Sequence, residues 1–197
     1  MSYRKEKKYR LTSFEFNNIK NYLIKNGMSI LHKPRNIKST YYDNNLLDMF
    51  THSEEGVLPR KKIRIRSYNL SDVSSIEVKV SSIEGRHKKT LKTFKRSSAK
   101  YFRNMQDQQY GLLTPSLFIS YNREYFSFKG LRITFDSSIK YKNLRHLNKF
   151  EYCDPERVME IKSSIDTSDD FIETLIPNLT TRFSKYSRGL LFSIKEL

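Results

Sequence analysis

The stretch Lys62-Ile63-Arg64-Ile65-Arg66 sets basic residues and isoleucine in strict alternation. Ile76-Glu77-Val78-Lys79-Val80, Leu131-Arg132-Ile133-Thr134-Phe135-Asp136 and Met159-Glu160-Ile161-Lys162 keep the same two-residue rhythm. A strand repeats every two residues, so each segment has one apolar face and one ionic face. The rhythm leaves two arrangements open. In one, an open sheet keeps its ionic face in water and its isoleucines against helices. In the other, the sheet closes into a barrel and the charges line its lumen. Residue types favour closure. Solvated faces mix Ser, Thr, Asn, Glu and Lys, whereas here Arg and Lys recur at every second position. Cations gathered in a lumen repel one another and lose hydration, which is unfavourable unless an anion enters. A phosphate chain offsets this, because each charge-assisted hydrogen bond contributes roughly 1.5–3 kcal/mol. Arg offers phosphate a planar fork and Lys a point charge. A nucleic-acid backbone is too wide for such a lumen.

Composition agrees with an anionic partner. The chain has 197 residues, 37 Lys and Arg against 21 Asp and Glu, and a formal net charge of +16. That balance implies nucleic acid, phosphate compounds or an acidic membrane surface as partner. Thirteen Tyr and thirteen Phe supply enough apolar surface for a core, and the length suits one domain over residues 1–197. The single Cys153 excludes an internal disulfide, fits a reducing compartment and reads as a small, partly buried thiol. The charged N-terminus predicts no secretory leader, and no run of about 18 apolar residues predicts a membrane span. A cytoplasmic protein is expected, held at the inner membrane face, if at all, through a partner. His32, His52, His87 and His146 sit in no metal-ligand spacing and read as surface or packing residues.

Along the chain, Tyr3 to Leu11 reads as a strand. A helix from about Phe14 to Asn26 follows, capped by Thr12 or Ser13, with Gly27 ending it. Ser39 to Asp43 reads as a short strand and Asn44 to Phe50 as a helical turn. Strands are expected over Arg60–Tyr68, Ile76–Ser81, His87–Phe94, Pro115–Phe128, Leu131–Asp136 and Val158–Ser163. Lys129-Gly130 is a turn. Helices are expected over Ser97–Gln109, Ser168–Leu175 and around Leu190–Ile194. The plan is α+β: a closed antiparallel β-barrel tunnel with a charged lumen, flanked by α-helices.

These residues carry a resemblance. Glu6-Lys7-Lys8-Tyr9, Tyr41-Tyr42-Asp43, Lys62 to Arg66, Glu77-Val78-Lys79, Tyr121-Asn122-Arg123-Glu124, Arg132 to Asp136, Met159 to Lys162 and Arg182-Phe183-Ser184-Lys185-Tyr186 occur in this order. The ordered set resembles the polyphosphate polymerase domain of the vacuolar transporter chaperone (VTC) family, within the triphosphate tunnel metalloenzyme, or CYTH-like, superfamily. It covers nearly the whole chain, from about Tyr3 to Tyr186. The resemblance implies a phosphotransferase that extends inorganic polyphosphate with the γ-phosphate of ATP and releases ADP. It implies Mn²⁺ or Mg²⁺ as cofactor and ATP with polyphosphate or pyrophosphate as partners. Lys8, Arg64, Arg66, Lys79, Arg123 and Lys185 match the catalytic bases. Lys88, Tyr121, Arg132, Arg182 and Ser184 match substrate contacts, joined by Lys62 and Lys162 on the ionic faces of their strands. Glu160 matches the principal metal carboxylate, with Glu6 and Glu77 as further ligands. The register after Gly85 leaves Lys88 and Lys89 both open. One departure stands out: tunnel triphosphatases open with Glu-x-Glu-x-Lys, and here those positions hold Arg4, Glu6 and Lys8. The lost carboxylate suits the polymerase branch better than a standard hydrolase.

Two other functions fit the same residues. A triphosphatase acting on inorganic triphosphate or a nucleotide would admit water to the same tunnel. A non-catalytic polyanion or nucleic-acid binding module would need only the net charge, but no nucleic-acid recognition motif is present, and none is expected as a partner. For Arg64, Arg66, Lys79 and Arg123 the plain alternative is a solvated sheet face. For Glu160 it is an ion pair with Lys162. Glu77 and Asp136 could equally serve only to balance arginines.

Overall fold

The computed structural model describes residues 4–69, 71–83, 85–95, 97–98, 102–145 and 151–194. The start of the first expected strand at Tyr3, and His146, lie outside them. In chain order the elements are β1 (Arg4–Leu11), α1 (Ser13–Lys25), β2 (Ser29–Asp43), α2 (Asp48–Glu55), β3 (Arg60–Tyr68), β4 (Val73–Ser82), β5 (Gly85–Lys95), β6 (Met105–Asp107), β7 (Gly111–Phe128), β8 (Leu131–Asn143), β9 (Glu151–Cys153), β10 (Arg157–Ser164), α3 (Asp169–Leu175) and α4 (Lys185–Ile194). The class is α+β with antiparallel pairing throughout the described ladders. The hydrogen-bonded order is β1-β10-β8-β7-β2-β3-β4-β5, with β6 on β7 and β9 on β8. This path ends on β1 and β5, so among the described residues the ladder is not strictly closed. That corrects the closed barrel expected from sequence. The alternation fixes which face of each strand is ionic but not whether the end strands meet, and β5 carries Lys88, Lys89, Lys92 and Lys95 as a charged edge strand.

The chain divides into two compact units, interleaved in sequence. The first comprises residues 1–35, 121–139 and 154–183, the second residues 36–120, 140–153 and 184–197. In the first unit β10 pairs with both β1 and β8, setting Lys8, Glu160 and Thr134 in one row and Glu6, Lys162 and Arg132 in the next. The opposite faces of these strands are apolar. Tyr9, Leu11, Ile133, Phe135, Met159 and Ile161 bury together with Phe16 and Leu23 of α1, Ile172 of α3 and Ile176 just beyond it. The alternation therefore does what its period dictates: one face makes the core and the other collects charge. Helix α1 begins at a capping box. The Thr12 hydroxyl accepts from Glu15 N at 3.2 Å, and Thr12 N donates to Glu15 Oε2 at 2.8 Å. Glu15 thus completes the cap that sequence assigned to Thr12 or Ser13 alone.

In the second unit β3 runs between β2 and β4, and β4 pairs with β5. Ile63, Ile65 and Ile76 pack with Tyr42, Met49, Tyr110 and Leu113. The Arg60–Tyr68 strand falls where the alternation put it, and Lys129-Gly130 has the two positive φ values, 47° and 79°, that a two-residue hairpin turn needs.

Three expectations change. Of the helix expected over Ser97–Gln109, residues 97–98 and 102 are in 3-10 turns, but Met105–Asp107 is β6, paired with the start of β7. The cause is Asp107, whose Oδ1 accepts from Gln109 N at 2.9 Å and Tyr110 N at 3.2 Å. That side-chain turn competes with helical pairing, and Lys61 holds Asp107 in place at 3.0 Å. The short Ser39–Asp43 strand is the end of the longer β2. Cys153 is exposed rather than partly buried.

Helix α4 packs closely at Gly189. A Cβ there would lie 2.5 Å from Tyr141 Cδ1, 2.7 Å from Leu117 Cδ2 and 2.9 Å from Tyr141 Cγ. Gly189→Ala is expected to destabilise the protein by about 1–3 kcal/mol, as overpacked cores do. Urea unfolding measures it, and an unchanged midpoint would contradict the packing.

Candidate functional site

The ionic face of the second unit is built on β3. Register sets Arg64 between Tyr41 of β2 and Glu77 of β4. Arg64 donates from Nε and Nη2 to Glu77 Oε2 at 2.9 and 2.7 Å, and from Nη1 to the Tyr41 phenol oxygen at 2.7 Å. Arg66 is buried; its Nε donates to Ser39 Oγ at 3.1 Å, and its Nη1 lies 3.7 Å from Glu77 Oε2. Lys88 Nζ donates to Glu77 Oε1 at 2.8 Å, which decides between Lys88 and Lys89: a register shift between Ile76 and Glu77 brings Lys88 to the ionic face. Glu77 is therefore surrounded by three bases. Burial pushes its carboxyl up, but Arg64 and Arg66, with the Lys88 bond, outweigh burial and bring it from 4.5 to about 2.

Beside this cluster, Lys62, Lys79 and Lys88 occupy one cross-strand row. Like charges directly opposite are unfavourable on a sheet. Lys62 donates to Ser184 Oγ at 2.8 Å, and the same hydroxyl accepts from Ser187 N at 3.3 Å in the first turn of α4. Lys185 opens that helix. Within β3, β4 and β5 Glu77 is the one carboxylate, set among Lys62, Arg64, Arg66, Lys79 and Lys88.

The ionic face of the first unit differs, since acids and bases interleave. Arg123 forks onto Asp136 at 2.6 and 2.7 Å, and its Nη2 lies 3.8 Å from Glu160 Oε2. Lys162 lies 3.0 Å from Glu160 Oε1, and Lys8 lies 3.1 Å from Glu6 Oε1. Burial opposes the charge on Glu160, yet Arg123, Lys162 and Lys8 hold its carboxyl well below the usual range. The Arg123 guanidinium lies 5.4 Å from the Tyr121 ring centre, and that of Arg132 lies 5.6 Å from the Tyr125 ring centre. Arg182 is exposed, on a segment whose neighbour Thr181 donates its N–H to the Lys8 carbonyl at 2.8 Å. Two buried polar atoms on this face, Thr134 Oγ1 and Arg132 Nε, have no hydrogen-bond partner. Buried polar groups are nearly always satisfied, so among the described residues these two atoms stand out on this face.

The sequence-derived residues thus gather in two sets. Glu6, Lys8, Tyr121, Arg123, Arg132, Glu160 and Lys162 share the ionic face of the first unit. Lys62, Arg64, Arg66, Glu77, Lys79, Lys88 and Ser184 belong to the second. Glu77, expected among the metal ligands, has both oxygens engaged by bases, as Glu160 has Lys162 and Arg123 against its two. Among the described residues no three of His, Cys, Asp and Glu come together as a ready-made metal cage. Sequence reasoning missed Thr134, although it sits at an ionic position of the Leu131–Asp136 alternation, and it gave no role to Tyr41. His32 lies edge-on to Tyr125, and His52 Nδ1 lies 3.1 Å from the Tyr110 hydroxyl, both packing roles.

A family model described as the VTC domain matches residues 3–194. Solved structures share the fold. A putative adenylate cyclase from Vibrio parahaemolyticus has TM-score 0.56 and 16% identity, covering 96% of this chain and 98% of that one. A protein of Pyrococcus horikoshii OT3 has TM-score 0.54 and 10% identity, covering 93% and 98%. A conserved hypothetical protein of Pyrococcus furiosus has TM-score 0.55 and 10% identity, over the same shares. No curated protein sequence matches the chain. No helix among the described residues is long and apolar enough to cross a membrane.

Glu77 makes stability depend on pH. Its folded pKa lies below its unfolded one, so its contribution is present above about 4.5 and is lost as pH falls toward 2. The difference corresponds to about 3 kcal/mol. Denaturant unfolding of wild type and Glu77→Gln across this range should show curves that converge in acid and separate toward neutrality. A gap independent of pH would contradict the assignment.

Proposed function

The chain belongs to the VTC domain family, with the fold of the CYTH-like triphosphate tunnel superfamily, and from that premise we propose that it is a metal-dependent phosphotransferase that extends inorganic polyphosphate from ATP. The observation that carries this reading is the gathering of Arg64, Arg66 and Lys88 on Glu77, the one carboxylate of β3, β4 and β5, with Lys62 and Lys79 in the adjoining row. A cluster of this kind is unfavourable by itself and is offset by a polyanion. Arg and Lys on separate strands match a chain of phosphates, each of which offers several acceptor oxygens. The roles follow from charge and position. Lys62, Arg64, Arg66, Lys79 and Lys88 bind phosphates, and Ser184 adds a hydroxyl beside Lys62. Lys185, in the same unit, adds a further base; in the first unit Lys8 and Arg123 stabilise phosphate charge, and Arg132, Lys162, Tyr121 and Arg182 contribute binding contacts.

The metal would be held by Glu160, opposite Lys8 in register, and Glu6, opposite Lys162 in the next row. Two carboxylates without a third protein ligand fit Mg²⁺ or Mn²⁺, which commonly take one or two carboxylates and complete their shell with substrate phosphates and water. The unpartnered Thr134 hydroxyl in the Glu160 row fits an oxygen-rich group on this face. The ion would neutralise phosphate charge. The nucleophile is a terminal phosphate oxygen, already ionised, so no general base is needed and none of the histidines has to act. The chain's own residues align donor and acceptor phosphates and neutralise them. A cytoplasmic location accords with the lone cysteine.

Incubating the purified protein with ATP and Mn²⁺ tests this directly. Long phosphate chains with ADP are the expected products. Orthophosphate alone would assign a triphosphatase, and unchanged ATP would leave a binding module. Arg64→Ala, Arg66→Ala and Glu160→Gln should each abolish turnover in folded protein. Wild-type turnover in Glu160→Gln would remove the metal assignment.

A further inference from the structure

We propose that Tyr41 is a positioning residue of the anion site, one whose phenol fixes the Arg64 guanidinium and is itself seated by Tyr186 and Asp43. The inference rests on the phosphate-binding reading of Arg64. Tyr41 is buried and lies opposite Arg64 in register. Arg64 is gripped from two sides, by Glu77 on Nε and Nη2 and by the Tyr41 oxygen on Nη1. A guanidinium held this way cannot swing, so its orientation toward a ligand is set before the ligand arrives. Tyr41 is fixed in turn. Its ring stacks on Tyr186 with centroids 5.0 Å apart and planes 14° apart. The Tyr186 hydroxyl donates to Asp43 Oδ2 at 2.6 Å, and Ser116 Oγ lies 3.1 Å from that hydroxyl while donating to the Tyr41 carbonyl at 3.1 Å. Asp43 is fully buried and also accepts from Met49 N and Phe50 N, both at 3.0 Å, at the start of α2. Tyr186 follows Lys185 and Ser184, so the stack also seats the first turn of α4.

The same arrangement ties the phenol's proton to the ligand. Tyr41 faces Lys62, Arg64 and Arg66 of β3 and Tyr186 of α4, with Asp43 of its own strand beyond Tyr186 and Glu77 of β4 beyond Arg64. Burial pushes the phenol up, but Arg64, Arg66 and Lys62 outweigh burial and bring it to about 7. A tyrosinate and an anionic ligand compete for one guanidinium. By linkage, ligand binding returns the proton to Tyr41, and loss of that proton weakens ligand binding. Affinity for phosphates therefore falls as pH rises through about 7.

Ultraviolet difference titration of wild type and Tyr41→Phe, with and without inorganic triphosphate, reads the tyrosinate directly, and calorimetry at each pH reads affinity. A neutral-range tyrosinate is expected in wild type, absent from Tyr41→Phe and moved upward by triphosphate. Relative to Tyr41→Phe, wild-type affinity should fall by up to about tenfold per pH unit above neutrality. Tyr186→Phe keeps the stack, loses the bond to Asp43 and should weaken triphosphate severalfold. No neutral-range tyrosinate in wild type, or one that bound triphosphate leaves in place, would overturn the proposal even if Tyr41→Phe fails to fold. Parallel affinity profiles of wild type and Tyr41→Phe would overturn it too. A neutral-range tyrosinate in a protein that does not bind triphosphate would instead defeat the phosphotransferase reading.

Discussion

A buried guanidinium must meet a negative charge, and in the second unit that requirement falls on Glu77. Its two oxygens serve Arg64, Arg66 and Lys88, and without it those bases would face one another in a poorly hydrated setting. Within β3, β4 and β5 no second acid shares the task. Under the proposed function, a bound polyanion would add its binding energy to the stability of the fold. The first unit resolves the same problem differently. Asp136, Glu160 and Glu6 alternate with Arg123, Lys162 and Lys8, so each base there meets a carboxylate.

Much of this is legible in the alternation alone. A period of two with charge on one face fixes which residues make the core, and Ile63, Ile65, Ile133, Phe135 and Ile161 all lie in it. It also fixes which residues share the opposite face, so Arg64, Arg66, Glu77, Arg132, Glu160 and Lys162 follow from spacing and residue type. Cross-strand register is not local, and it decides the rest. That Glu77 meets Arg64 and Lys88 is known only once β4 is set against β3 and β5. Lys88 is told from Lys89 only by the shift beside Glu77.

The larger misses are of another sort. The Ser97–Gln109 stretch reads as one helix, but at its end the Asp107 side chain makes a turn beside a strand. Asp43 looks like the last residue of a strand; its partners Met49 and Phe50 lie several residues on and Tyr186 near the end of the chain. Such roles depend on where a later segment returns, and periodicity carries no information about that. Thr134 and Tyr41 stand at ionic positions without being ionic, which is why a search for charge passes over them.

The lysine fringe of β5 has a consequence for behaviour in concentrated solution. A second copy offering the same strand would bring ammonium against ammonium, so edge-to-edge stacking into fibrils is disfavoured where a bare hydrophobic edge would invite it. The same fringe gathers mobile anions from the surrounding electrolyte. Any long polymer that displaces them gains their released entropy, and that gain shrinks as the medium becomes saltier.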